Sequence, residues 1–519
     1  MGGRGLAVMQ PNSLILVWLV VLPFFVAGCA ALFPRLSIRF HSEAEKEAMA
    51  WAPFSLGALA SLMGVGLTVS LLSPVLSGAP VVVDYWWTRD LYHLRFQADR
   101  LSLLATLAIY GIGFLLHLHV VGLREAGKAA TEEAATAPDA SAAHRAATLL
   151  AAQGCGAAAA LSADLISLVF FLQLMLVALW LFVSVSFRER NLRLLAVAQV
   201  TGLLTLGGAL LMWQRAGDTS AQSLPLLLLS AEPPTLKLTT ALVLLGLLPL
   251  LPGAPGHGWL ASLRSEKASA AMMPAALVVI VGAALALRLL PGSLMLPGVP
   301  VFAGLSLTLG LFSLWWGALR AWLARDLRGV AVWLTVAQSG YLLVALAEAA
   351  SPTAPATVLQ AAALQMVAAP LGLAAVWTAV SYVSARAGTD ALPGLSGLFK
   401  VMPLAGVTLL AGGLSVAGLP PLVGFHVQRL LVLGLIGDGR WPLAVAMICV
   451  DLLLVTAVVG AFRQSFLRAE PAPRLRPASG WLSLQLSLSV AALVALGVFP
   501  GPLARWAAAL FSTALGVSP

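Results

Sequence analysis

Ala417-Gly418-Leu419-Pro420-Pro421-Leu422-Val423-Gly424-Phe425 sits in the middle of an apolar run from 401 to 436, and a helix cannot pass through it unbroken. Each proline removes a backbone donor, and its ring clashes with the preceding turn. The carbonyls freed by such a break find no water inside a bilayer, so protein groups or trapped water must meet them. A second apolar run, 235–253, carries a similar interruption at Leu247-Leu248-Pro249-Leu250-Leu251-Pro252-Gly253. Proline kinks are common in membrane helices. Two broken segments at corresponding places along one chain are also what a fold built from inverted repeats shows.

Composition makes the membrane reading general. Of 519 residues 60% are hydrophobic and 10% charged, against roughly 45–50% and about 25% in soluble domains. A bilayer core about 30 Å thick takes ~20 apolar residues per helix. Fourteen such spans are expected near 14–34, 52–78, 99–123, 146–163, 165–187, 190–213, 235–253, 268–289, 299–322, 328–350, 356–384, 401–436, 442–462 and 480–499. The two broken runs are then the seventh and twelfth. The longest hydrophilic stretches, 35–51, 79–98, 124–145 and 214–234, are too short to bury a core, so residues 1–519 read as a single all-α polytopic membrane domain. The Ala-rich 124–145 segment reads as a loop or short surface helix, and a scaffold that recruits a partner through it is one functional alternative.

The net charge is +9, yet the 30 Lys and Arg are scattered singly at span ends, which excludes a nucleic-acid footprint. Twenty of these 30 fall in alternate connections, a bias that puts those connections in the cytoplasm and the N-terminus outside, as for a multi-pass chain of a bacterial cytoplasmic membrane. Cys29, Cys155 and Cys449 lie in apolar segments without CxxC or Cys/His spacing, so no metal site is expected. The absence of a Gly-rich nucleotide loop or cysteine cluster leaves no expected cofactor.

Several local patterns together resemble the antiporter-like, proton-translocating membrane subunits of respiratory complex I. The chain looks closest to the M-type subunit and is related to Mrp-type antiporter and membrane-bound hydrogenase chains. They are Asp99-Arg100-Leu101-Ser102-Leu103-Leu104, Pro255-Gly256-His257-Gly258-Trp259-Leu260, Asp326-Leu327-Arg328 followed by Val336-Ala337-Gln338-Ser339-Gly340-Tyr341, the 417–425 break, and Phe499-Pro500-Gly501-Pro502-Leu503. The resemblance covers about 95–505. It implies fourteen helices: three at 14–123, inverted five-helix repeats at about 146–289 and 299–462, a last helix at about 480–499, and breaks in helices seven and twelve. It also implies other membrane-arm subunits of a complex I type assembly as partners, besides the bilayer. His257 and Arg328 match family positions, where capping a helix end or binding lipid would also explain them.

The departures from that family carry the functional expectation. Asp164-Leu165-Ile166-Ser167-Leu168-Val169-Phe170-Phe171-Leu172-Gln173 resembles the M-type fifth helix, with Gln173 in place of its buried Glu. Leu250 and Ile280 fall where helices seven and eight carry Lys. Gln365 and Ala369 fall where helix eleven carries His and Lys, and Gln428 replaces the terminal Lys or Glu of helix twelve. Proton exchange by a Glu/Lys pair needs a neighbouring charge to move the carboxylate pKa. An amide holds water but has no proton to give near neutral pH. A central polar axis is therefore expected to consist of Gln173, Gln338, Gln365, Gln428 and water.

The remaining charged candidates are Asp451, with Arg429 as its expected partner, and His426, expected to line the twelfth-span break. Asp451 reads equally as a functional acid or as a structural hydrogen bond. Lys237 reads as interfacial, and His117 and His119 as satisfied helix-end residues. The leading expectation is an antiporter-like subunit degenerate in proton translocation, with no redox site of its own. The alternative is an Mrp-like or uptake-complex proton/cation transporter using non-standard residues.

Overall fold

A computed structural model describes residues 11–37, 43–88, 92–128, 140–187, 192–216, 233–262, 275–294, 300–349, 356–468 and 480–512. Residues 129–139, the centre of the 124–145 segment, lie outside them. The chain runs α1 (Pro11–Ser37), α2 (Glu43–Ser70), α3 (Leu72–Leu76), β1 (Val81–Thr88), β2 (Tyr92–Ala98), α4 (Arg100–Lys128), α5 (Ala140–Leu161), α6 (Leu165–Phe187) and α7 (Leu192–Ala216). It continues with α8 (Pro233–Leu247), α9 (Gly258–Ser262), α10 (Ala275–Leu294), α11 (Pro300–Trp322), α12 (Leu327–Ala349) and α13 (Ala356–Ala387). α14 (Pro403–Val416), α15 (Gly424–Gly437), α16 (Trp441–Phe462), α17 (Gly480–Val498) and α18 (Gly501–Ser512) complete it.

Every expected span overlaps a helix or a broken pair of helices. Among the described residues eight helices are long and apolar enough to cross a bilayer, and shorter apolar helices include α14 and α15. The seventh expected span stops at Leu247 and restarts at Gly258, and the twelfth stops at Val416 and restarts at Gly424. Leu250, Leu251, Ala254, Ala417, Leu422 and Val423 are buried, so most of each break is covered by protein, whereas Pro420 and Pro421 of the twelfth-span break are exposed at the surface of this chain.

Two elements were not anticipated. The 79–98 stretch is not a plain connection: β1 and β2 pair antiparallel, Val83 opposite Phe96 and Val81 opposite Ala98. Those four side chains are buried, the every-second-residue pattern of a strand with one covered face. Among the described residues the regular structure is thus helical apart from this hairpin. α18 is an additional helix after the last expected span, its Trp506 Nε1 donating to the Arg100 carbonyl at 3.0 Å.

The centre of the molecule is α12. All 23 of its residues are buried, and α13 is nearly as enclosed. Small residues let α11 lie against α12 backbone to backbone: a Cβ on Gly340 would meet the Gly310 carbonyl at 2.6 Å, and one on Gly317 would meet the Ala337 amide nitrogen at 2.7 Å. Close approach through glycine is a favoured way for membrane helices to associate.

Candidate functional site

α12 begins on Asp326, whose Oδ1 accepts the Gly329 amide at 2.5 Å, an N-cap that satisfies one of the helix's open donors. Its first turn is tied to the 388–402 connection by Leu327 N–H to the Asp390 carbonyl and Leu392 N–H to the Arg325 carbonyl, both 2.9 Å. Arg328 Nε lies 3.0 Å from Asp390 Oδ2, and its Nη2 is 3.4 Å from Ser384 Oγ. Burial pushes the Asp390 carboxyl above its ordinary range, the Arg328 charge pulls it back down, and Asp326 raises it. Arg328 therefore closes the end of the central helix.

Three further polar side chains mark α12. Gln338 Nε2 donates to the Val416 carbonyl at 2.7 Å, the last residue of α14, so an amide meets a carbonyl freed by the twelfth-span break. Gln365 Nε2 on α13 donates to Gln338 Oε1 at 2.6 Å. The Tyr341 hydroxyl donates to Asp451 on α16. Near the end of the helix, Glu348, 3% exposed, pairs with Arg440 just before α16. At about 100° per residue, Gln338, Tyr341 and Glu348 fall within ~80° of one another around the helix. From Gln338 to Glu348, about 15 Å at 1.5 Å per residue, the helix thus carries a polar seam held by amides at one end and an ion pair at the other.

The seventh-span break is met differently. Trp259 Nε1 donates to the Pro249 carbonyl at 3.0 Å, and Ser313 Oγ accepts the Ala254 amide at 2.9 Å. Leu250, fully buried, packs on α10, where a Cβ on Gly282 would meet its Cβ at 2.9 Å. Ile280 and Ala369 are likewise buried among apolar neighbours. Where the resemblance implies cations, this chain has close-packed aliphatic contacts.

The expected axis is only partly assembled. Gln338 and Gln365 bond directly. Gln428 is buried beside the break, its chain pressed on Gly418, and its Oε1 has no partner. Gly418 has φ +75°, a conformation that glycine adopts without penalty. Gln173 does not join these amides: it packs on Gly202 of α7, and its buried Nε2 has no partner.

Two expectations need correction. Asp451 takes Tyr341, not Arg429, which is exposed on α15. His426 stands at the break as expected: its Nε2 lies 2.7 Å from the carbonyl of Gly497 at the end of α17, a residue packed against Pro421 and Leu422. His117 and His119 are fully buried and lie within α4, which runs on to Lys128, and not at its end. His119 spans Ser381 Oγ at 3.0 Å and Gln485 Oε1 at 3.4 Å, joining α4, α13 and α17. Glu348 was missed, because an acid at the edge of an apolar run reads as interfacial. Lys237 is exposed, and His257 packs against Trp333 with ring centroids 5.3 Å apart and the rings tilted by 51°.

Truncating Gln338 to Ala orphans the Val416 carbonyl and leaves the Gln365 amide only its 3.3 Å bond to the Gln338 main-chain carbonyl. Leaving a buried polar group unpaired costs about 1–3 kcal/mol. The variant is expected to lower the unfolding midpoint of the detergent-purified chain by an amount in that range. An unchanged midpoint would mean the seam does not hold the break closed.

Residues 162–454 match the family described as "NADH:quinone oxidoreductase/Mrp antiporter, TM". The chain is 24% identical over 470 residues to NADH-quinone oxidoreductase subunit N of Desulforudis audaxviator, covering 89% of this chain and 88% of that protein. The fold matches a chain of the archaeal membrane-bound sulfane sulfur reductase complex with a TM-score of 0.78 at 17% identity, over 96% of this chain and 97% of that one. It matches a chain of Thermus thermophilus respiratory complex I with a TM-score of 0.75 at 19% identity, over 97% and 100%.

Proposed function

The chain belongs to the NADH:quinone oxidoreductase/Mrp antiporter transmembrane family, and on that premise we propose that it is an antiporter-like subunit, degenerate in proton translocation, of a complex I type NADH-quinone oxidoreductase or related redox-driven complex. Its partners are other membrane-arm subunits, and the electron chemistry belongs to them. It sits as a multi-pass protein in a bacterial cytoplasmic membrane with the N-terminus outside. The repeats at about 146–289 and 299–462 are related by inversion. Asp164 caps α6 through the Ser167 amide at 2.7 Å, as Asp326 caps α12, and the five passes between those starts leave them at opposite membrane faces.

The observation that carries the reading is the chemistry of the replaced positions. Gln173 offers an amide with a buried unpartnered nitrogen, and Leu250 and Ile280 are wholly enclosed aliphatics. Charges are kept inside membranes where they do work, since each costs ~2.5–3.5 kcal/mol or more at the bilayer centre. Positions 173, 250 and 280 of the first repeat have given them up as a set, so none of the three traps a proton or answers a neighbour's charge. What it retains is a rigid packed body that fills a place in the membrane arm and passes strain along.

The test is proton yield per electron pair of the assembled complex carrying Gln173→Ala. Yield and turnover are expected within about 20% of the parent's, because an amide supplies no pKa in the working range. A large loss of yield with assembly intact would place Gln173 on a working path. Gln173→Glu alone is expected to restore nothing, since Leu250 offers no positive partner.

One observation favours a second reading in which the latter half still moves an ion: Asp451, hydrogen-bonded by Tyr341, and Glu348 with Arg440 keep ionisable groups beside α12. An Mrp-like or uptake-complex transporter would use them. Flux through the purified chain in liposomes containing a pH-sensitive dye, abolished by Asp451→Asn, would select that reading over the first.

A further inference from the structure

We propose that the turn between α11 and α12 is a seat for an anionic phospholipid, with Arg320 and Arg325 binding the headgroup phosphate and the outer stripe of α11 carrying an acyl chain. A cavity of about 290 Å³ opens there, lined by Arg320, Leu323, Ala324, Arg325, Asp326 and Trp333. It lies between the end of one membrane helix and the start of the next, so it faces the headgroup layer. The Arg320 guanidinium is held 5.1 Å above the Trp333 ring and 5.9 Å from that of Trp316. Such stacking orients a cation while leaving its N–H edge open, and that planar edge matches phosphate oxygens in pairs.

The sign of the ligand follows from the charges around the cavity. Arg320 and Arg325 are both exposed, and neither has an ion-pair partner among the described residues. The carboxylate at the rim, Asp326, is engaged by the Gly329 amide. Arg328 one turn on is turned to Asp390, so it adds nothing to the seat. Basic pockets between membrane helices are a recurring means of holding anionic headgroups.

That the ligand is a lipid and not a free anion follows from α11. Phe312, Trp315, Trp316, Leu319, Trp322 and Leu323 are all more than a third exposed, and Phe312 stacks on Trp316 at 6.0 Å. Their spacing of three and four residues makes one continuous face. The face runs for about 16 Å, at 1.5 Å per residue, directly up to the cavity. Free phosphate would have no use for it, whereas an acyl chain lies along it. Tryptophans at its upper end suit the boundary between hydrocarbon and headgroups.

The experiment is native mass spectrometry of the full chain in detergent, titrated with phosphatidylglycerol, phosphatidylcholine or inorganic phosphate. Phosphatidylglycerol is expected to be retained at least fivefold better than phosphatidylcholine, and R320Q/R325Q to bring that ratio close to one. A photoactivatable phosphatidylglycerol added to the unaltered chain is expected to crosslink within 312–325, a readout that does not depend on the variant folding. An unchanged ratio in a folded double variant, crosslinks confined elsewhere, or full displacement by inorganic phosphate would each overturn the proposal.

Discussion

Replacing Gly424 by alanine is expected to lower the unfolding midpoint of the purified chain more than any side-chain truncation in the seam. A Cβ there would lie 1.7 Å from the Ser415 carbonyl oxygen and 2.7 Å from its carbon. Overpacking that side chains absorb costs about 1–3 kcal/mol. Here both partners are backbone on either side of the break, so relief requires α14 and α15 to separate. The Gly424 amide would then lose Ser415 Oγ, now 3.2 Å away. We expect a loss at or above the top of that range, measured by detergent unfolding. Gly437 at the far end of α15 has nothing within 4 Å of its would-be Cβ, so Gly437→Ala is the control and is expected to be neutral or slightly stabilising. Equal behaviour of the two variants would show that the break is loosely packed.

Arg288→Ala is expected to cost about 3 kcal/mol, the low end of what breaking a buried charge pair costs. Its guanidinium donates to the Ala160 carbonyl at 3.1 Å, to the Ser162 carbonyl at 2.8 Å and to Asp99 Oδ2 at 2.7 Å. The low end applies because the side chains of Arg288 and Asp99 keep 11% and 30% exposure. At this one place α10 holds the end of α5 and the start of α4, and the hairpin joins them through the Ala163 amide and the Arg95 carbonyl at 2.9 Å. Adding Asp99→Asn to Arg288→Ala is expected to recover part of the loss, since the amide removes the orphaned charge and its oxygen can still cap Ser102. A single-variant loss below about 1 kcal/mol, the worth of an exposed pair, would mean solvent screens the junction.

The sequence by itself determined what depends on covalent chemistry and local pattern. Proline lacks an N–H wherever it stands, so both breaks were legible from Pro249, Pro252, Pro420 and Pro421, and apolar runs set the helices to within a few residues. The residue types at 173, 250, 280 and 428 were legible too, all four of them uncharged. The hairpin had a signal that went unused, the alternation of Val81, Val83, Phe96 and Ala98.

Only the tertiary structure decided which groups meet. Arg429 is 22 positions from Asp451 on the preceding helix, yet its rotation about α15 carries it outward. Tyr341, 110 positions away, is brought in because α12 runs through the centre of the bundle. Gln173 and Gln338 are the same amide, but one lies unpartnered against Gly202 while the other holds a broken helix's carbonyl. Glu348, buried with the rest of α12, meets Arg440 just before α16. These outcomes follow from helix rotation and close approach across the bundle, set by the summed packing of all the helices and not by any residue's own neighbours in the chain.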